Sequence, residues 1–190
     1  MDFKEIMQRR TIRIFRQEEV PVSLLKKAVS YAGQSSCASN KQRIRYILIT
    51  SPEMVAKILP HTAYAGLVKP GRDPIPGKTA PTAFVALVST MEPDNHLWAD
   101  AGAAIQTFQY SCWEDGIGCC WLGAFHKKEC AGLLEVEEGR LLYLIAVGYK
   151  GEEPQMDPIG KEGNPAYFLD ENNTLHIPKF TEEALILKEI

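Results

Sequence analysis

The sequence has neither the basic excess that is typical of nucleic-acid-binding proteins nor the long apolar runs that are typical of membrane proteins. Its 190 residues carry 21 basic and 24 acidic side chains, which gives a net charge of −3. Because nucleic-acid-binding proteins usually have a clear basic excess, we expect no nucleic-acid partner. The longest apolar runs, Ala83–Val88 and Leu141–Val147, are far shorter than the ~20 residues that cross a bilayer. We therefore expect no membrane partner either.

The cysteines and the first residues indicate a reducing compartment. The five cysteines are odd in number, contain no C-x-x-C pair and have no metal-like spacing. We expect them to be reduced, and we expect no metal site. The opening stretch MDFKEIMQRR is charged and has no apolar core of the kind found in a secretory signal. The sequence therefore predicts a cytoplasmic protein.

Conventional catalytic and nucleotide-binding motifs are also missing. Gly71–Thr79 is one residue too long for a Walker A loop and contains two prolines, and Gly116–Trp121 has tryptophan where a dinucleotide fingerprint needs glycine. No H-E-x-x-H or G-x-S-x-G motif is present. His96 and Asp100 lie four residues apart on a predicted helix, where a local hydrogen bond is favoured over a catalytic pair. Hydrolytic chemistry thus has little support.

Periodicity and capping residues predict helices and strands in an irregular alternation. This lack of a strict βαβ rhythm favours an α+β fold. Residues 60–81, with five prolines and three glycines, are predicted to be irregular, and the tail is predicted to be rich in loops. Helices are predicted at 2–9, 21–32, from 51 onward, 94–115, 127–135 and 181–189, strands at 45–50, 83–89 and 141–149, and an apolar segment at 119–125.

The stretch RRTIRIFR, residues 9–16 and hereafter the arginine segment, contains four of the eight arginines. From Thr11 to Arg16 it alternates apolar and polar residues, which is typical of an extended segment with Ile12 and Ile14 on one face and Arg13 on the other. Two interpretations stay open for its arginines. They lie at the end of a predicted helix, where positive charge is favourable, or they form a phosphate clamp to which Thr11 adds a hydroxyl.

A second polar stretch, SCASNKQ at residues 36–42, is hereafter the amide loop. Its small hydroxyl and amide side chains suit a planar polar ligand, because Asn40 and Gln42 can each donate and accept hydrogen bonds. A simple connection between a helix and a strand explains the same residues equally well.

Taken together, five motifs resemble the FMN-dependent nitroreductase family in order and approximate spacing. The tail, YFLD at 167–170 and LHIPK at 175–179, is similar to that of a compact subgroup of the family. The motifs are RRTIRIF near the start, NKQ at 40–42, DAGAAIQ at 100–106, GIGCCWLGAF at 116–125 and VGY at 147–149.

The resemblance implies a single FMN-binding domain over residues 1–190. Its fold would be α+β, with a mostly antiparallel central sheet flanked by helices, in a domain-interlocked homodimer with two FMN sites at the subunit interface. NADH or NADPH would be the electron donor. A small-molecule acceptor such as a nitroaromatic or a quinone would follow it in ping-pong turnover, and because the flavin carries the hydride chemistry, no catalytic side chain is expected.

The same resemblance assigns the residues of the flavin site. Arg9 would bind the phosphate with Arg10 and Thr11 beside it, and Arg13 would lie near the N1–O2 edge of the ring. A backbone N–H from Leu122 or Gly123 would point at flavin N5. Asn40 and Gln42 would lie beside the ring or ribityl chain, Ser36, Cys37 and Ala38 would reach the partner's flavin, and Lys161, with Lys150 as second choice, would supply the late basic phosphate ligand.

Two departures from the family pattern leave the substrate open. Ser36–Cys37 stands where the family usually has Pro–Ser, and Arg43–Ile44 stands where Pro–Trp often follows the glutamine. Flavin fragmentation or reductive dehalogenation on the same scaffold is therefore an alternative, as is a non-enzymatic flavin-binding protein.

Overall fold

A computed structural model describes residues 2–190 and contains a four-stranded main sheet. Each of its strand pairs is antiparallel. The strands are β1 (Ile44–Ile49), β2 (Ala83–Ser89), β3 (Ile117–Leu122) and β4 (Leu141–Tyr149), in the spatial order β1-β2-β4-β3.

Helices cover both faces of the main sheet and explain why its central strands read as continuous apolar runs. Successive side chains of a strand point to opposite faces. In β2, Val85 and Leu87 belong to one hydrophobic cluster and Phe84 and Ala86 to the other. The helices are α1 (Phe3–Met7), α2 (Val22–Ala32), α3 (Pro52–Ile58), α4 (Asn95–Glu114), α5 (Lys127–Leu133) and α6 (Glu182–Leu185).

The two faces are covered by different helix pairs, and capping residues fix where the helices begin. Helices α2 and α4 pack on one face, and α3 and α5 contribute to the cluster on the other. Asp94 caps α4 by accepting a hydrogen bond from the Leu97 N–H at 2.7 Å, and Ser51 caps α3 ahead of Pro52. The predicted α+β fold, a mostly antiparallel sheet flanked by helices, is confirmed.

The tail corrects the prediction of a loop-rich region. It forms a small sheet of strands β5 (Gln155–Ile159), β6 (Phe168–Leu169) and β7 (Leu175–Phe180), in the order β5-β7-β6. These strands are hard to recognise because β6 has two residues, while β5 and β7 contain Pro158 and Pro178, and proline is depleted in strands.

The side chain of His176 connects the strands of the small sheet through hydrogen bonds. His176 on β7 places its Nδ1 2.8 Å from Asp157 of β5 and its Nε2 3.4 Å from Asp170, which follows β6. Phe168 stacks on the imidazole ring with centroids 4.8 Å apart. The hydrogen bond with Asp157, assisted by Asp170, raises the pKa of His176 above its ordinary value.

The last helix is also shorter than predicted. Instead of covering 181–189, α6 ends at Leu185, and Ile186 has an extended backbone. Leu185, Leu187 and Ile190 are exposed, so the apolar residues of this stretch pack against no core among residues 2–190 that would hold a longer helix.

Two glycines let the arginine segment lie directly against the main sheet. The Ile12 N–H donates to the Cys119 carbonyl at 3.1 Å. A Cβ added to Gly118 would lie 2.6 Å from Ile12 Cβ, and one added to Gly148 would lie 2.9 Å from Phe15. Ile12 and Phe15 are fully buried as a result, which fixes the positions from which the neighbouring arginines project.

Candidate functional site

The start of the arginine segment lines a cavity of about 270 Å³, hereafter the arginine cavity. Basic side chains border it, and the lining contributed by residues 2–190 includes no aspartate or glutamate. Such a cavity favours an anionic ligand. Its walls consist of Met7, Arg9, Arg10, Thr11, Gln106, Tyr110, Met156, Ile177 and Lys179.

Arg9 carries hydrogen-bonding capacity that the chain does not use. Its Nε and Nη1 atoms are buried, and neither has a hydrogen-bond partner among residues 2–190. Burial lowers the pKa of Arg9, since desolvation disfavours the charged form. Donors left unsatisfied in this way cost free energy unless a ligand accepts from them. An oxyanion in the arginine cavity would satisfy this requirement.

Arg10 differs from Arg9 because much of its guanidinium serves the chain itself. Its Nη1 donates to the carbonyls of Met7 at 2.9 Å and Arg9 at 2.6 Å, at the end of α1. The helix-end interpretation of the sequence therefore describes Arg10. Arg10 Nε is buried without a partner among residues 2–190, so Arg10 keeps one donor for an anion, whereas Arg9 keeps two and Thr11 adds a hydroxyl.

Lys179 is the late basic residue that the structure brings to the arginine cavity. Ile177 and Lys179 lie two residues apart on β7, so they share one face of the strand, and both line the cavity. Lys161 is exposed in the turn after β5 and is not among the lining residues. Lys150 lies with its Nζ 4.1 Å from the centre of the Trp113 ring.

Arg13 does not line the arginine cavity. Its side chain lies over Tyr167, and its backbone joins a separate network of hydrogen bonds around Glu152. Its guanidinium carbon lies 5.0 Å from the centre of the Tyr167 ring. Its backbone N–H donates to Glu152 Oε1 at 2.6 Å, and the other oxygen of Glu152 accepts from Arg72 Nε at 2.8 Å. Arg72 is 2% exposed and also donates to the side chain and the carbonyl of Asn173.

In the amide loop, the predicted polar residues lie next to one another. Gln42 Nε2 donates to Asn40 Oδ1 at 3.1 Å, and the Cys37 sulfur lies 3.9 Å from the same oxygen. Asn40 and Gln42 are exposed, so their remaining donors and acceptors are accessible. Ser36 is exposed as well, while the Ala38 N–H donates to Asp100 Oδ1 at 2.9 Å.

The predicted N5 contact lies at the end of β3. Leu122 is buried as the last residue of the strand, and Gly123 follows it at an exposed position. Tyr143 packs nearby, edge-on to Trp121 with ring centroids 5.0 Å apart. Gly123 therefore offers exposed backbone beside an aromatic wall.

Expectations from the sequence also concern metal ligands, membrane spans and the His96–Asp100 pair. Residues 2–190 contain no group of three or more potential metal ligands and no helix long and apolar enough to cross a membrane. Asp100 does not serve His96, which is exposed; it accepts from Ala38 and lies 3.6 Å from Arg43.

The contacts that the tail makes with the site through Lys179 and Glu152 were not predicted from the sequence. Lys179 lies within LHIPK, a stretch noted for its resemblance, but no local pattern shows that it faces the arginine segment. The Arg72–Glu152 pair lies 80 residues apart in the chain, and Arg72 falls in a region predicted to be irregular surface. Only a three-dimensional arrangement could reveal either contact.

Comparisons with known proteins identify the family to which the chain belongs. The family model described as "Nitroreductase family" matches residues 6–149. The chain is 26% identical over 162 residues to a protein of Methanothermobacter thermautotrophicus provisionally named NADH dehydrogenase/NAD(P)H nitroreductase, covering 81% of this chain and 80% of the relative.

Solved structures share the fold at lower identity. A nitroreductase family protein from Clostridium novyi NT aligns with a TM-score of 0.66 and 18% identity, over 83% of this chain and 89% of that one. An FMN-dependent nitroreductase from Clostridium difficile R20291 gives 0.64 and 19%, over 80% and 90%. Because the family model extends from α1 to the end of β4, over well more than half of the sequence, the chain belongs to the nitroreductase family.

Proposed function

We propose that the protein is an NAD(P)H-dependent FMN oxidoreductase that reduces nitroaromatics, quinones or related acceptors. The observation that carries the proposal is Arg9, with two buried nitrogens left without a partner in a basic cavity. Family membership supports the reaction class, and similarity to proteins named as FMN-dependent or NAD(P)H nitroreductases supports the cofactors.

We assign the phosphate end of the flavin to the arginine cavity. Guanidinium groups bind phosphate oxygens in bidentate fashion, and Arg9 has both Nε and Nη1 available for this. The Thr11 hydroxyl and the Lys179 ammonium would complete the shell. Among the late basic residues we favour Lys179 over Lys161 and Lys150, because Lys179 alone of the three lines the cavity.

The ring end is assigned to residues outside the arginine cavity. Arg13 would provide a fixed positive charge beside the N1–O2 edge, Gly123 or Leu122 a backbone donor near N5, and Asn40 and Gln42 hydrogen bonds along the ring or ribityl chain. Bound FMN supplies the hydride chemistry, so these side chains bind, orient and exclude water. Arg9 and Arg13 serve opposite ends of one ligand in this assignment.

We further propose a homodimer, in which Ser36, Cys37 and Ala38 contact the flavin of the partner subunit. Exposed apolar side chains at both ends of the chain support an interface. They include Phe3, Met7, Leu185, Leu187 and Ile190. Sedimentation equilibrium should give twice the chain mass of 21.2 kDa, and a monomer would contradict the interface.

An absorption spectrum tests cofactor and activity together. Purified protein incubated with FMN and freed of excess should be yellow, and NADH or NADPH added without oxygen should bleach the flavin band. Subsequent addition of a quinone should restore the band. Protein that stays colourless after incubation with FMN would refute the proposed function. A yellow protein whose flavin is reduced by neither NADH nor NADPH would exclude the oxidoreductase activity and support the non-enzymatic flavin-binding alternative.

A further inference from the structure

Arg43 connects the amide loop to α4 through two carboxylates. The side chain of Arg43 is 5% exposed and lies at the junction between the loop and β1. Its two terminal nitrogens donate to the two oxygens of Asp94 at 2.8 and 3.0 Å, and Nη2 also lies 3.6 Å from Asp100. A fork of this kind fixes orientation as well as distance.

One of these two carboxylates, Asp100, also holds the other end of the loop. Asp100 is 6% exposed and accepts from the Ala38 N–H at 2.9 Å. Asp94 also caps α4 through the Leu97 N–H. Both ends of the segment from Ala38 to Arg43 are thus attached to the first turns of one helix.

The backbone between these two attachments is strained. Ser39, Asn40 and Gln42 have φ angles of 51°, 51° and 48°, in the left-handed region that residues with a side chain rarely adopt. Such a conformation persists only where the surrounding structure enforces it. The strained backbone carries the side chains of Asn40 and Gln42, which contact each other and are exposed.

We propose that Arg43 is a positioning residue, which together with Asp94 and Asp100 holds the amide loop in the strained conformation that presents Asn40 and Gln42 to the flavin. This inference rests on the proposed function for its ligand, but the conformational part concerns the chain alone. Arg43 acts through the loop and has no part in the arginine cavity, whose lining does not include it.

The test compares Arg43→Met and Arg43→Lys with Arg140→Met. Arg140 is a matched control because it too pairs with two carboxylates, those of Glu92 and Glu137, away from the loop. The first measurement is amide hydrogen exchange in flavin-free protein. In Arg43→Met, residues 38–42 should exchange at least about 10-fold faster while β2 and β4 stay protected. Exchange in the loop at the wild-type rate would overturn the inference.

The second measurement is the binding of FMN and riboflavin by fluorescence quenching, with visible circular dichroism of the bound flavin. Arg43→Met should weaken both ligands at least about 10-fold and alter the dichroism, because the ring loses pre-positioned contacts. The FMN-to-riboflavin affinity ratio should stay unchanged, because the phosphate end is untouched. Wild-type affinity with a wild-type spectrum would contradict the positioning role.

Two milder variants, Arg43→Lys and Asp94→Asn, distinguish a loss of the Arg43 contacts from a general loss of folding. Arg43→Lys keeps the charge but cannot span both oxygens of Asp94, so it should shift exchange and affinity in the same direction by less. Asp94→Asn keeps a capping oxygen for Leu97 and should resemble Arg43→Lys. Loop protection and flavin affinity unchanged in both would overturn the inference. A wild-type protein that binds no flavin would instead refute the proposed function, and the exchange measurement would still decide the conformational claim.

Discussion

Arg72 and Arg9 are two arginines whose nitrogens are withdrawn from water, and they differ in whether the chain satisfies them. Every nitrogen of the Arg72 guanidinium has an acceptor, in Glu152, Gly71 or Asn173. Arg9 leaves Nε and Nη1 unpartnered beside a cavity. The difference teaches that burial alone does not mark a binding site, whereas two buried donors left over on one guanidinium beside a basic cavity indicate one.

The comparison also assigns different tasks to the two regions. The Arg72 network connects the start of the chain to its tail, because Glu152 accepts from the backbone of Arg13 and Ile14 as well. Changes at Arg72 should therefore appear in the free energy of unfolding. Changes at the arginine cavity should appear in ligand affinity and leave unfolding almost unaffected.

The largest effect is expected from Arg72→Met. This change leaves the Glu152 carboxylate buried without its ion-pair partner, which costs about 3–5 kcal/mol of unfolding free energy. Urea denaturation followed by circular dichroism measures the loss. Arg16→Met is the control, since Arg16 is exposed, pairs with exposed Glu18 and lies 5.4 Å from the centre of the Tyr149 ring, and it should change stability by no more than about 1 kcal/mol. An equal loss of unfolding free energy in Arg72→Met and Arg16→Met would contradict the structural role of the Arg72 network.

Gly118→Ala should affect both regions at once. The added methyl group would lie 2.6 Å from Ile12 Cβ, so the arginine segment must shift, at a cost of about 1–3 kcal/mol. FMN affinity should fall with it, because Arg9 moves with the segment. Gly132→Ala in α5 is the matched control, with nothing within 4 Å of the added carbon. A Gly118→Ala protein as stable as wild type would show that the segment does not pack as described.

Lys179→Gln and Lys161→Gln separate the candidates for the late phosphate ligand. Lys179 lines the arginine cavity and Lys161 does not, so only the first change should weaken FMN binding. The expected loss is about 5-fold, roughly 1 kcal/mol for a charge that remains in contact with water. Fluorescence titration provides both dissociation constants. A loss confined to Lys161→Gln would restore the prediction from the sequence.

The pH dependence of stability probes the small sheet, which carries both Asn173 and Lys179. The pKa of folded His176 is raised above its ordinary value of 6.5 by Asp157 and Asp170. The imidazolium therefore stabilises the fold fully below the unfolded pKa, and this contribution is lost as pH rises through the raised folded pKa. The stability difference between wild type and His176→Gln should shrink as the pH rises from below 6.5 through the raised folded pKa, and a difference independent of pH would contradict this.

The sequence was sufficient where local physics decides the outcome. Ser51 and Pro52 begin α3, and the apolar run of β2 is a central strand. In the arginine segment Ile12 is buried and Arg16 is exposed, but the second fully buried residue is Phe15 and Ile14 is only half-buried, so simple alternation describes the segment in part. The sequence was insufficient where residues distant in the chain must meet. The pairing of Arg72 with Glu152 and the approach of Lys179 to Arg9 depend on how the tail folds back, and strands as short as β6 leave little local signal.

The departure at Arg43 illustrates the intermediate case. The sequence showed that an arginine replaces the proline often found after the glutamine in the family, but not what the arginine contacts. Its partners, Asp94 and Asp100, lie at the start of α4, more than 50 residues away. The replacement becomes interpretable only once the loop and the helix lie side by side.

The measurement that tests the central claim most directly compares the binding of FMN and riboflavin, which differ by the phosphate, in wild type and in Arg9→Met. The wild-type protein should prefer FMN. Arg9→Met should reduce that preference by about 10- to 100-fold, the value of charge-assisted hydrogen bonds to one group. The unfolding free energy of the flavin-free protein should not fall, because the change removes donors that have no partner in the chain. An undiminished preference for FMN in Arg9→Met would contradict the assignment of the arginine cavity to the flavin phosphate.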